Sequence, residues 1–178
     1  IAVWCTYKYL NAGPGAVGAL YVNRRLWGTE PALAGWWGYR KDRQFEMSHE
    51  WEGAPHAGAY QISTLPLLSA AALIGSLTIF AEAGMAEIRR QSLAKTDYLI
   101  RMLDATGLTS DAAGFGIGTP FEHARRGGHV ALRCSDAETM SAALIEKKII
   151  VDFRKPDVIR LAPVALYTSF SEIRHAVL

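Results

Sequence analysis

Three side chains in this sequence carry chemistry that packing does not require. Lys8 stands in "WCTYKYLNAGPG", between two tyrosines, after an apolar run and just before a glycine-proline-glycine turn. A lysine amine attacks a carbonyl carbon only when it is partly deprotonated, which burial or a nearby cation brings about. An amine at the end of a buried strand would meet the first condition. The residues alone leave a second reading open: a side chain that lays its stem on apolar surface and keeps its ammonium in water. Arg160, in "DVIRLAPV", is the one charge in a strand-like run ending at proline. Its planar fork of donors suits a carboxylate held by two parallel hydrogen bonds. The wet face of an alternating strand, or a structural ion pair, is the other reading that the residues alone leave open. The loop "GWWGY", Gly35 to Tyr39, sets two indoles between glycines, and an indole N–H there can meet an anion or serve loop packing.

These residues need elements to hold them. Residues 1–6 are β-branched and aromatic and predict a buried strand; "AVGALYV" predicts its partner across the Leu10–Gly15 turn. Residues 23–60 are irregular, aromatic and polar, and loops of that length inside domains are usually functional. Residues 65–83 are apolar almost all round, with Pro66 suited to a first helical turn and Thr64 to the cap. The absence of charge from Ile62 to Ala81 reaches membrane-spanning length, but the many small residues favour a buried core helix. Gly84 breaks that helix, and a polar one follows to about Asp104, burying Ile88, Leu99, Met102 and Leu103. Then come a strand at 129–134, a helix from Asp136 to Lys148 burying Met140 and Leu144, strands "IIVDF" and "DVIRLAP", and a last helix from Ser169. This order predicts a compact α+β lobe, with a hinge in the glycine-rich stretch 107–127.

Composition narrows the function. The chain has 178 residues, half of them hydrophobic and a fifth charged, with a formal net charge of +2. That charge is too small, and its cations too dispersed, for a nucleic-acid footprint. Two cysteines, Cys5 and Cys134, make neither a disulfide framework nor a zinc set, so a cytoplasmic compartment is expected. The five histidines lack metal spacing, "GFGIG" lacks a nucleotide fingerprint's strand-to-helix context, and no serine sits in a G-x-S-x-G elbow. The chain starts on Ile1, inside the first strand, which is expected of the C-terminal part of something longer.

The stretches "AVWCTYKYLNAGPGAVGALYV", "PALAGWWGYRKDRQFEM", "AYQISTLP", "RRGGHVALRC" and "DFRKPDVIRLAPVALYTSF" together resemble kynureninase, in order and over nearly the whole chain. Kynureninases are pyridoxal 5'-phosphate (PLP) enzymes of the aminotransferase-like, fold type I class. The resemblance implies an α/β protein: the latter part of a PLP-binding large domain over 1–106, then a small α+β C-terminal domain over 107–178. It implies that Lys8 joins the PLP aldehyde and that Tyr7, beside the cofactor, reaches its phosphate and donates protons. It implies that Trp36 gives its indole N–H to the phosphate, and that Thr64 adds a hydroxyl across a homodimer interface. Arg160 would hold the substrate α-carboxylate, and Tyr39 would lie where the substrate's aromatic ring is sensed. Many relatives have asparagine where Thr64 stands, and threonine keeps a hydrogen-bonding group for the phosphate; many have histidine where Tyr39 stands, which bears on the choice between kynurenine and 3-hydroxykynurenine. The implied reaction is hydrolysis of L-kynurenine to anthranilate and L-alanine in tryptophan catabolism, with no nucleic acid or membrane partner. The family's phosphate loop, stacking aromatic and pyridinium aspartate have no counterpart in these residues. The piece by itself is therefore expected to be inactive and to expose apolar surface. A cysteine desulfurase of the same fold would need a mobile reactive cysteine, and both cysteines here fall in strand-like runs.

Overall fold

The computed structural model describes residues 1–178, which form two compact units, Ile1–Glu82 and Ala83–Leu178.

In the first unit, β1 (Ala2–Cys5) and β2 (Gly18–Tyr21) pair antiparallel, with Ala2 opposite Tyr21 and Cys5 opposite Gly18. The sequence predicted this ribbon but predicted it buried. Instead Ile1, Val3, Trp4, Leu20 and Tyr21 are all exposed, because two strands alone offer no second layer to pack against. Residues 23–60 hold short 3₁₀ turns at Arg24–Leu26, Trp36–Gly38, Gln44–Glu46 and Ala57–Tyr60, and one isolated bridge, Tyr39 to Gly53.

Helix α1 (Leu67–Ala83) follows the predicted span, but its burial does not match the expectation. Only Ser76 and Phe80 are buried, and Leu68 is 91% exposed. Thr64 is not its cap: the helix starts after Pro66, whose carbonyl already accepts from the Ala70 amide at 3.0 Å. No single helix of the chain is long and apolar enough to cross a membrane.

The second unit starts with α2 (Met85–Ala105), after Gly84 at φ 77°. Its four-stranded antiparallel sheet runs β3 (Gly116–Ile117), β4 (Val130–Arg133), β6 (Val158–Leu161), β5 (Asp152–Arg154). The stretch 107–127 supplies a sheet strand, β3, within this unit. α2 sides with the later residues because Leu99, Ile100 and Leu103 pack on Val130, Leu132 and Ile173. Ile88 and Met102 are only half-buried.

The register explains the core. Leu132 lies opposite Ile159 and Val130 opposite Leu161, so these four share one face. That face is covered by α2, by α4 (Phe170–Val177) through Ile173, and by α3 (Ala137–Glu146) through Ala137. α3 buries Ala137 and Ser141, not the expected Met140, since small residues let it approach Ile159 closely. Ser169 and Glu172 close a reciprocal capping box at the start of α4, which satisfies two orphan backbone donors.

A buried cation ties the sheet's approach loop to α2. The Arg126 side chain is almost wholly buried and pairs with Asp97, which also meets the His123 ring nitrogen at 2.8 Å. Burial pushes the Asp97 carboxyl up, but hydrogen bonds from Arg126 and His123 outweigh it and hold it below its ordinary 3.8. Asp97 therefore contributes stability above that value and loses it as pH falls through the lower folded value. In the full-length protein, Asp97→Ala is expected to cost about 3–5 kcal/mol at pH 7 by leaving Arg126 uncompensated. The same variant should flatten the loss of thermal stability between pH 5 and pH 3, on the order of one carboxylate's contribution. An acid slope equal to the parent's would contradict the pairing.

Candidate active site

Lys8 sits where β1 runs into its turn, and two hydroxyls fix that turn from either side. Thr6, fully buried, donates from Oγ1 to the Val17 carbonyl, and its own carbonyl accepts from the Ala12 amide at 3.1 Å. Ser76 of α1 donates from Oγ to the Leu10 carbonyl. Within the turn the Asn11 amide donates to the Lys8 carbonyl at 2.9 Å. Asn11 lies at φ 55° and Gly13 at φ 82°, which a side chain disfavours and which asparagine and glycine tolerate. The backbone of the lysine is thus held although its side chain is not packed. Of the two readings that the residues left open, the structure has the wet one: Lys8 is exposed. The β1–β2 ribbon beneath it has no covering layer, so nothing in the unit excludes water from the amine. Its ammonium lies 5.4 Å from the centroid of the Tyr7 ring, itself half exposed.

The indole loop is built by close backbone approach. A Cβ on Gly35 would fall 2.0 Å from the Ile62 carbonyl oxygen, and one on Gly38 would fall 2.3 Å from that of Ala59. Only glycine lets the 35–38 turn press against 59–62, which brings Trp36 to the segment leading into Thr64. Trp36 is 49% exposed, with its ring edge-on to Trp37 at 5.2 Å and to Phe45 at 6.1 Å. Thr64 is exposed. Tyr39 is buried against Trp51 at 5.7 Å, and its hydroxyl makes no hydrogen bond within the chain.

Arg160 belongs to the second unit. Successive β6 residues alternate, so Val158 and Arg160 point away from the helix-covered face, together with Asp152 and Arg154 of β5. Arg160 donates from Nε to Asp152 Oδ2 at 2.5 Å, and Nη2 meets the same oxygen. Burial works to raise the Asp152 carboxyl, but Arg160's hydrogen bond and charge, then those of Arg154, hold it below the ordinary range. Both alternatives left open for this arginine, the outer strand face and an ion pair, are present.

A second lysine was not singled out by residue type. Lys95 of α2 is buried, and its ammonium donates to the Ala165 carbonyl at 2.6 Å and the Val164 carbonyl at 3.4 Å. Burial pushes it below the usual lysine range, with the charge of Glu172 working against that shift. It pins the segment that follows β6. Thr6, Ser76 and Asp152 likewise escape a reading by residue type. Their roles depend on partners 11, 66 and 8 residues away, which only the fold brings close.

Residues 88–178, more than half the chain, match the family described as the kynureninase C-terminal domain. The chain belongs to the kynureninase family. It is 49% identical over 176 residues to a kynureninase of Geobacillus thermodenitrificans, covering 99% of this chain and 40% of that protein. It is 48% identical over 177 residues to one of Bacillus cereus strain ZK / E33L, and 50% identical over 172 residues to one of Bacillus mycoides. The chain thus spans about two-fifths of the length of these kynureninases. Among solved structures it resembles the cystine C-S lyase C-DES, with a TM-score of 0.65 and 23% identity over 90% of this chain and 40% of that one. It also resembles the cysteine desulfurase of Thermococcus onnurineus NA1, with a TM-score of 0.69 and 17% identity over 93% of this chain and 43% of that one. At those identities the likeness concerns the fold, which is the α/β class expected from the sequence.

The clamp on the Lys8 turn can be tested directly. In the full-length protein, Ser76→Ala should cost about 1 kcal/mol by removing the partner of the half-buried Leu10 carbonyl. Amide hydrogen exchange at Asn11 and Ala12 should speed up while β4 and β6 amides keep their protection. Unchanged exchange at Asn11 would show that Ser76 does not hold the turn.

Proposed function

We propose that this chain is the lysine- and arginine-bearing part of a longer PLP-dependent enzyme that hydrolyses L-kynurenine to anthranilate and L-alanine. The observation that carries this reading is an amine on a doubly clamped turn, in a chain half identical to kynureninases from end to end. On the same reading, residues 1–106 are the latter part of the cofactor-binding domain and 107–178 the small C-terminal domain. The enzyme works as a cytoplasmic homodimer in tryptophan catabolism. The exposed apolar faces of β1, β2 and α1 and the exposed Lys8 amine are then surfaces that the rest of the protein and a second copy cover.

The donor set fits PLP. A primary amine matches the aldehyde. The Tyr7 hydroxyl, the Trp36 indole N–H and the Thr64 hydroxyl are neutral donors suited to a phosphate dianion. When bound, the cofactor supplies a sink for the electron pair left at the substrate carbon. Lys8 would take the Cα proton at Nζ. Tyr7 moves protons at its hydroxyl in the later steps. Arg160 would hold the substrate α-carboxylate by two parallel hydrogen bonds. Overall, water adds across the Cβ–Cγ bond: the carbonyl carbon leaves as the anthranilate carboxylate, and Cβ gains a proton to give alanine. Tyr39, buried with an unsatisfied hydroxyl, bears on the choice between kynurenine and its 3-hydroxy form.

The structural neighbours raise desulfuration as a second reading. Cys134 argues against it, because burial pushes its thiol up and withholds the thiolate such chemistry needs.

Borohydride reduction of the full-length protein with PLP, followed by peptide mapping, should mark Lys8. A mark on the buried Lys95, or none, would reject the assignment. Arg160→Lys should raise the KM for kynurenine at least about tenfold, read by anthranilate fluorescence, because an ammonium cannot make the paired contact. An unchanged KM would remove Arg160 from the substrate site.

A further inference from the structure

The register of the second unit's sheet sets Asp152 directly opposite Arg160, so the two side chains leave the same face as nearest cross-strand neighbours. Arg154, two residues along β5, shares that face and also donates from Nε to Asp152 Oδ2, at 2.9 Å. One carboxylate oxygen therefore gathers two guanidinium groups. Without it, two cations with long, rotamer-rich stems would share a half-exposed face and repel each other. The side chains of Arg160 and Asp152 are 37% and 45% exposed, so packing alone does not fix the guanidinium.

The atoms used by the pair matter. A guanidinium carries one N–H at Nε and two at each terminal nitrogen. Asp152 engages Arg160 through Nε and Nη2, the side edge of the fork. The end edge, between Nη1 and Nη2, lies outside this contact and has the parallel geometry that a second carboxylate takes bidentately.

We propose that Asp152 is a positioning residue for Arg160, pinning the side edge of its guanidinium so that the end edge is presented to the substrate α-carboxylate. This rests on the reading of Arg160 as the carboxylate clamp. Two effects of Asp152 oppose each other. Its negative charge repels an incoming carboxylate, and its hydrogen bonds hold the fork in one orientation. The substrate carboxylate docks on the adjacent edge, which shares Nη2 with Asp152's edge, and the positive guanidinium between the two carboxylates, in a partly solvated site, offsets their repulsion. The orienting hydrogen bonds are direct contacts. Orientation is therefore the larger effect, and removing Asp152 weakens substrate binding.

The test uses the full-length, PLP-loaded protein. Asp152→Ala should raise the KM for kynurenine about tenfold and leave kcat within about threefold. Asp152→Asn, which keeps an acceptor oxygen in the same place, should raise it only about threefold. The affinity for 4-(2-aminophenyl)-4-oxobutanoate, measured by calorimetry, should weaken by the same factors. This compound keeps the carboxylate and the 2-aminophenyl ketone but lacks the α-amine, so it reports the clamp without turnover. Asp157 provides the control, since it pairs with Arg133 at 2.9 Å on the same sheet. Asp157→Ala should leave KM unchanged, whereas a general loosening of the sheet would raise it in both variants and overturn the inference. A KM that is unchanged or lower in Asp152→Ala also overturns it, the lower value marking Asp152 as a competitor of the substrate. If Asp152→Ala does not fold, Asp152→Asn decides alone, and an unchanged KM and affinity would reject the proposal. Arg160→Lys separates the two claims. No effect there fells the clamp itself, while a raised KM there with none in either Asp152 variant fells only the positioning role.

Discussion

The antiparallel register of β6 between β4 and β5 is the constraint on which most of the second unit depends. Because side chains alternate along a strand, one register decides both what is buried and what is offered. It gathers Val130, Leu132, Ile159 and Leu161 beneath α2, α3 and α4. It gathers Asp152, Arg154 and Arg160 on the opposite face. A slip of one residue would bury the arginine and expose the isoleucine, a double penalty that the helices enforce. The arginine's address is therefore a consequence of the hydrophobic core rather than a separate feature.

The first unit solves its positioning problem differently. Its lysine has no core around it, so its backbone is fixed by side-chain hydroxyls that reach across the chain. Thr6 closes the neck of the turn, and Ser76 ties the turn to α1. The indole loop is fixed by glycines that let two backbones touch. In both places the polar groups are satisfied by specific, distant partners, so the geometry is exact only when the unit is folded. The lysine tip itself is exposed rather than packed.

Much of this was legible beforehand. The composition of "TYKYLNAGPG" announces a turn carrying an amine, and the alternation in "VIRL" announces a strand with one wet position. An unbroken apolar run located α1 and periodicity located α2, because such patterns and glycine stops act over a few residues. They misjudged burial where packing depends on remote surfaces. α1 is apolar on every side and was expected to be buried, yet this chain covers it on only one side. α3 turns Ala137 and Ser141 inward instead of Met140, since the distance to Ile159, not side-chain hydrophobicity, sets which residue fits.

The sequence by itself determined the element order, the turn that bears Lys8, the glycines that permit close approach, and the family to which the chain belongs. Each of these is encoded in contiguous residues, through local backbone preference or a motif. Only the tertiary structure decided that Asp152 meets Arg160, that Ser76 holds the lysine turn, that Lys95 is buried and that Lys8 is exposed. Those outcomes depend on which distant segments come together, and the free energy that brings them together comes from burying the whole core rather than from any one of the residues involved.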